Sequence, residues 1–327
     1  MGNRSWGLWA QACVGLLSVV TSAALAQGQL AGRIEVLAVR SATYSGSDFL
    51  LERAAGKEAV LGGELRLPVG APSKVPAVIL VHGSGGVGAG VDAWARAINE
   101  AGMAAFILDS FSGRGIVSTV EDQDQLHSLA MMVDAYRALD VLTAHPRIRA
   151  DRIAVMGFSK GAVASVFSAA ERFRTAYGSA SRFAAHVGLY TPCNTRFDGD
   201  TKVSAMPIRL YHGTGDDYVS IQPCRDYVSE LKAGGADVSL TEYPGAQHSF
   251  DNPASPPLFD VPKAQSTRNC RLKEGPNGTT LNAATGTLFS VKTDPCVAIG
   301  AHTGYSPEAT QATRTSVLGF FKQTLGS

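Results

Sequence analysis

The chain has 327 residues, with 29 basic and 28 acidic side chains and a formal net charge of +1. Hydrophobic residues make up 45% and charged residues 17%, enough apolar material for a substantial core, which excludes a disordered chain. No basic run or aromatic–basic interleaving marks a nucleic-acid surface, so no nucleic acid partner is expected.

Residues 1–26 read as a secretory signal peptide: Arg4 gives the positive start, Trp6 to Val20 the apolar stretch, and Ala24-Leu25-Ala26 a small-residue cleavage site. Cys13 lies inside the apolar stretch without a lipobox, which argues against a lipid anchor. No later segment is long and apolar enough to span a bilayer, so no stable membrane anchor is expected after cleavage. The reading is an exported protein, periplasmic or secreted, with residues 27–327 forming a single domain.

From about residue 58, short apolar strands alternate with amphipathic helices, the pattern of an α/β fold with a mostly parallel twisted sheet. Strands are predicted at 34–40, 58–67, 76–82, 103–109, 152–157, 184–190, 207–212 and 237–243. Helices are predicted at 91–101, 123–144, 161–175, 221–234 and 306–324. The last has a clear start: Ser306 as cap, Pro307 at the first helical position and Glu308 in the first turn. Residues 251–304 break the alternation, with Pro253, Pro256, Pro257 and Pro262 and no helical or strand period. A loop of that length is usually functional or disordered, and its cysteines favour the first, as a wall of the site.

Of five cysteines, Cys13 falls in the leader, leaving Cys193, Cys224, Cys270 and Cys296. An even number in an exported chain reads as two disulfides. Cys193 is expected after one core strand and Cys224 past the next, so neighbouring strand ends favour Cys193–Cys224 and Cys270–Cys296. Each bridge contributes roughly 3–4 kcal/mol in the chain-entropy picture. Zinc is the competing reading, but C-x-x-C spacing is missing and no metal is expected.

The chemistry starts at Gly157-Phe158-Ser159-Lys160-Gly161, a G-x-S-x-G sequence after an apolar strand and before an Ala-rich helix. That is the setting of a nucleophile elbow, a sharp turn that lifts a serine hydroxyl above the sheet. A serine hydroxyl is a weak nucleophile near neutral pH, so it needs a base, and the base an orienting acid. Of the histidines after Ser159, His186 and His212 lie in apolar strands and His302 in the irregular segment. His248, in the loop after strand 237–243, is the expected base. The acid is expected in Gly215-Asp216-Asp217-Tyr218-Val219. Asp216 is favoured because it stands three residues before the apolar Val219, which leaves Asp217 as a solvated turn residue or a helix cap.

Upstream, Val78 to Val81 run into His82-Gly83-Ser84-Gly85-Gly86, a strand ending in a glycine-rich turn. Such a turn lets backbone N–H groups approach a developing oxyanion. The donors are assigned to the N–H groups of Ser84, with Gly85 as alternative, and of Lys160, whose side chain is expected to be exposed. A phosphate loop is the other reading of the glycines, but the G-x-x-x-x-G-K-[ST] pattern is lacking. His82 is expected to be a structural hydrogen-bonder. Arg114, in the loop after strand 103–109, is a candidate contact for a substrate carboxylate, or else pairs with a local acid such as Glu121 or Asp122.

Together these motifs resemble the α/β-hydrolase superfamily and, within it, the dienelactone hydrolase-like family, over about residues 58–250 and the last helix. The resemblance implies a sheet with helices on both faces and hydrolysis of a small-molecule ester or lactone by Ser159, His248 and Asp216, without a cofactor. That family typically carries cysteine where this chain has Ser159, which points to ester hydrolysis in general. A small peptidase of prolyl-oligopeptidase type, or a non-catalytic binding protein on the same scaffold, are the competing readings.

Overall fold

In the computed structural model, residues 1–2, 32–53, 56–71 and 73–326 are described. Nearly all of the expected leader, with its cleavage site, lies outside the described residues. The domain runs through β1 (Arg33–Thr43), α1 (Gly46–Leu50), β2 (Lys57–Leu67), β3 (Val75–Val81), α2 (Ala89–Glu100), β4 (Ala104–Asp109) and α3 (Ser128–Thr143). It continues through β5 (Ile148–Phe158), α4 (Lys160–Phe167), α5 (Glu171–Tyr177), β6 (Ala185–Leu189), β7 (Thr195–Arg196), β8 (Ile208–Gly213), α6 (Gln222–Ala233) and β9 (Val238–Tyr243). The last part holds β10 (Phe259–Ser266), β11 (Leu272–Gly275), β12 (Thr279–Asn282), β13 (Ala298–Thr303) and α7 (Pro307–Phe321).

Eight strands form the central sheet in the order β1-β2-β4-β3-β5-β6-β8-β9. β1 and β2 are antiparallel to their neighbours, and from β4 onward every pairing is parallel. β3 is apolar on both sides because both of its faces are covered. In β3, Ala77, Ile79 and Val81 enter one core cluster while Val78 and Leu80 enter the other. The first cluster gathers α3, α4 and α6 (Leu129, Phe167, Tyr227), and the second gathers α2 and α7 (Trp94, Ile98, Val317, Phe321). The predicted α/β fold, with a mostly parallel sheet between two helical layers, is therefore the observed one.

Two helices depart from expectation. The predicted 123–144 helix begins at Ser128, where His127 Nδ1 accepts the N–H of Leu129. Gln123 instead gives its backbone N–H to Gln265 Oε1, which holds residues 123–125 in a separate short turn. The predicted 161–175 helix is two helices, because Ala170 leaves helical geometry to bridge Val203 and Glu171 N–H bonds Lys202 O.

The 251–304 excursion is not irregular. β10 and β13 pair antiparallel, and β12-β11-β7 form a second small sheet. Cys270–Cys296 closes this segment on itself, and Cys193–Cys224 ties the chain after β6 to α6, the expected pairings. These strands escape sequence reading because β10 has no buried alternation before Ala264, and β11 and β12 are only four residues each.

Candidate active site

β5 ends at Phe158 and α4 begins at Lys160, so Ser159 alone makes the turn, at φ 51° and ψ −116°. A positive φ in a side-chain-bearing residue costs on the order of 1–3 kcal/mol and is held by its surroundings. The surroundings are tight: a Cβ at Gly157 would come 2.1 Å from Gly161 O, and one at Gly161 would come 2.2 Å from Val81 O. The Ser159 N–H is anchored on Leu189 O in the neighbouring strand at 3.0 Å.

Beyond β9, the turn at Gly245 brings the chain back so that His248 faces the elbow. Ser159 Oγ stands 3.0 Å from His248 Nε2, and His248 Nδ1 stands 2.8 Å from Asp216 Oδ2. The other carboxylate oxygen accepts the backbone N–H groups of Tyr218 and Val219 at 2.9 and 2.8 Å. Burial alone would raise the Asp216 pKa, but His248 and His212 beside it bring it well below the usual carboxylate range. The imidazole is buried between the rings of Tyr190 and Tyr218, 4.6 and 4.8 Å away. Asp217, the alternative acid, points elsewhere and bonds His302.

The glycine-rich turn after β3 packs directly on the elbow, where a Cβ at Gly83 would sit 3.1 Å from Phe158 O and 3.3 Å from Ser159 Cβ. His82 is fully buried beneath it. Its Nε2 accepts the N–H of Ser110 at 3.1 Å and its Nδ1 donates to Gly83 O at 2.8 Å. Burial holds the ring's pKa down, so it works as a neutral brace. Ser84, Ser159 and Lys160 line one cavity of about 180 Å³. Lys160 opens α4, whose first N–H groups have no partner within the helix.

Two side chains are not where the sequence put them. Lys160 is buried, and its Nζ donates to Gln123 O, Gln123 Oε1 and Thr119 Oγ1 at 2.8, 3.0 and 3.2 Å. Desolvation lowers its pKa to about 7, opposed by the field of Asp124 and Asp122. Arg114 does not reach the cavity. Its guanidinium forms a two-pronged bond to buried Asp134 at 2.7 and 2.9 Å and also bonds Thr43 Oγ1 and Ser110 O. The acid is neither Glu121 nor Asp122, because α3 carries Asp134 beneath the loop.

Gln123, Tyr218 and Gln265 also line the cavity and were not readable as site residues. Their place depends on the 251–304 excursion, where Gln265 N–H bonds Val120 O at 2.9 Å and Ser266 Oγ bonds Tyr218 O at 2.7 Å. Only the neighbourhood of Tyr218 to the aspartate pair could have flagged it. Among the described residues no group of three or more His, Cys, Asp or Glu side chains is placed to hold a metal ion.

The family model described as "Dienelactone hydrolase family" matches residues 61–325. A dienelactone hydrolase-like promiscuous phosphotriesterase from metagenomic libraries is 18% identical with a TM-score of 0.56, covering 89% of this chain and 99% of its own. A structure called m3DLH is 20% identical with a TM-score of 0.58, covering 90% and 99%. An alpha/beta hydrolase from a Medee basin deep-sea metagenome library is 17% identical with a TM-score of 0.50, covering 82% and 93%. None of the curated proteins matches the chain.

Proposed function

The chain belongs to the dienelactone hydrolase family of hydrolases, and from that premise we propose that it is an exported serine hydrolase of carboxylic esters or lactones. The observation that carries the reading is the unbroken line from Ser159 Oγ through His248 to Asp216 Oδ2, at 3.0 and 2.8 Å. His248 Nε2 takes the hydroxyl proton as Ser159 Oγ attacks the carbonyl carbon. Asp216 holds the Nδ1 proton in place and stabilises the imidazolium that forms. The N–H groups of Ser84 and Lys160 receive the oxyanion. His248 then protonates the departing alcohol, leaving an acyl group on Ser159. Water, deprotonated by the same histidine, releases the acid.

Export is supported by the leader-like residues 1–26 and by two disulfides, a bond type that persists in oxidising compartments. Among the described residues no helix is long and apolar enough to cross a membrane. The test is turnover of p-nitrophenyl esters and small lactones by the protein and by Ser159→Ala. Activity is expected from the first and not the second. Equal rates from the two across the panel would end the proposal.

A further inference from the structure

The cavity beside Ser159 has a mostly apolar surface, with polar side chains such as Asp124, Asn194, Thr267 and Arg268 also in its lining. Its apolar side is formed by Val163 and Phe197 from the main domain and Leu272, Phe289 and Val291 from the excursion. Leu272 and Val291 are buried, and the chain holding them is closed by Cys270–Cys296. Gln265 fastens the same wall on both sides, with Nε2 donating to Val291 O at 3.0 Å and Oε1 accepting the Gln123 N–H at 2.8 Å. A wall tied at these points has a set size rather than adapting to its contents.

Which side of an ester enters follows from the proton path. His248 Nε2 must hand its proton to the leaving oxygen, so the alcohol departs on the imidazole side. Among the described residues lining the cavity are Ser84, Ser159 and Lys160, and His248 is not one of them. The group inside is therefore carried by the acyl carbon.

We propose that this cavity is an acyl pocket selective for apolar acyl groups of intermediate size, with Leu272, Phe289 and Val291 as the specificity-determining residues; this rests on the serine-esterase reading above. An apolar cavity of about 150 Å³ takes one benzene. A volume of about 180 Å³ therefore holds a phenyl ring or a chain on the order of six carbons, and a longer chain must extend beyond it.

The test is kcat/KM on p-nitrophenyl acetate, butyrate, hexanoate and decanoate for wild type, Val291→Phe and Phe289→Ala. In wild type the value rises about fourfold per added methylene up to hexanoate, and decanoate falls below hexanoate by about tenfold or more. Val291→Phe lowers the hexanoate-to-acetate ratio about tenfold, and Phe289→Ala, at a half-exposed position, raises the decanoate-to-hexanoate ratio. A wild-type profile flat from acetate to decanoate, or ratios unmoved in both variants, overturns the pocket while leaving the esterase reading intact. No turnover of any of the four esters by wild type overturns both.

Discussion

Asp217 and His302 hold each other through two bonds of 2.8 Å, one from the His302 backbone N–H and one from its Nδ1. Asp217 is thereby committed to β13, while its neighbour Asp216 turns inward to His248. The same segment grips His248, since Gly304 N–H bonds His248 O at 3.0 Å and Thr303 bridges His248. The excursion thus touches the loops that carry Asp216 and His248, and Arg268 adds bonds to Asp217 O and Gly300 O.

The two aspartates should separate cleanly by kinetics. Asp216→Asn removes the acceptor that fixes the His248 tautomer and should lower kcat by about 10⁴-fold. Asp217→Asn disturbs only the link to β13, and we expect a loss under about tenfold. Steady-state rates on one ester decide it, and the reverse ranking would make Asp217 the acid.

The Asp217–His302 pair also has a pH signature. The carboxylate raises the His302 pKa above 6.5, so the native state holds its proton more tightly than the unfolded chain. That contribution is fully present below the unfolded pKa and is lost as pH rises through the folded one. The Tm advantage of wild type over Asp217→Asn should therefore be larger at pH 5.5 than at pH 9. An advantage that is constant or grows with pH contradicts the pairing.

Lys160 has the opposite sign. Its folded pKa lies at about 7, below the ordinary 10.5, so between these values the unfolded chain carries more protons than the native one. This lysine therefore makes stability rise with pH from about 7 upward. Thermal melts of wild type and Lys160→Met from pH 6.5 to 10 should show the difference moving in favour of wild type. No drift across that window would mean that the buried amine keeps an ordinary pKa.

Arg114 and Asp134 form an ion pair whose side chains are 6% and 0% exposed. Removing one partner from a buried pair typically costs about 3–5 kcal/mol, because the other charge is stranded. Arg114→Met should lose stability on that scale in urea unfolding. Its KM for an anionic ester relative to a neutral one should stay as in wild type, since the guanidinium does not line the cavity. A selective rise in KM for the anionic ester would restore the substrate role.

The inner sheet strands were legible because burial on two faces leaves apolar runs such as Val78 to Val81, β2 because its buried residues alternate, and the elbow because glycine is forced at 157 and 161. The order of Ser159, Asp216 and His248 along the chain needed no geometry. What was not legible depends on contacts distant in sequence. Lys160 looked exposed because nothing local shows Thr119 and Gln123 folding over its amine, and Arg114 found its acid twenty residues on, in α3. The excursion hid its four strands because disulfide and side-chain ties, rather than an alternating buried face, hold them.

The central claim is that Ser159 is an activated nucleophile. The direct measurement is intact-mass analysis after treatment with a fluorophosphonate, with the modified residue located by peptide mapping. One adduct per chain is expected, on Ser159, absent in Ser159→Ala and strongly slowed in His248→Ala. A folded wild-type protein that takes up no label, or a label that persists in Ser159→Ala, would contradict it.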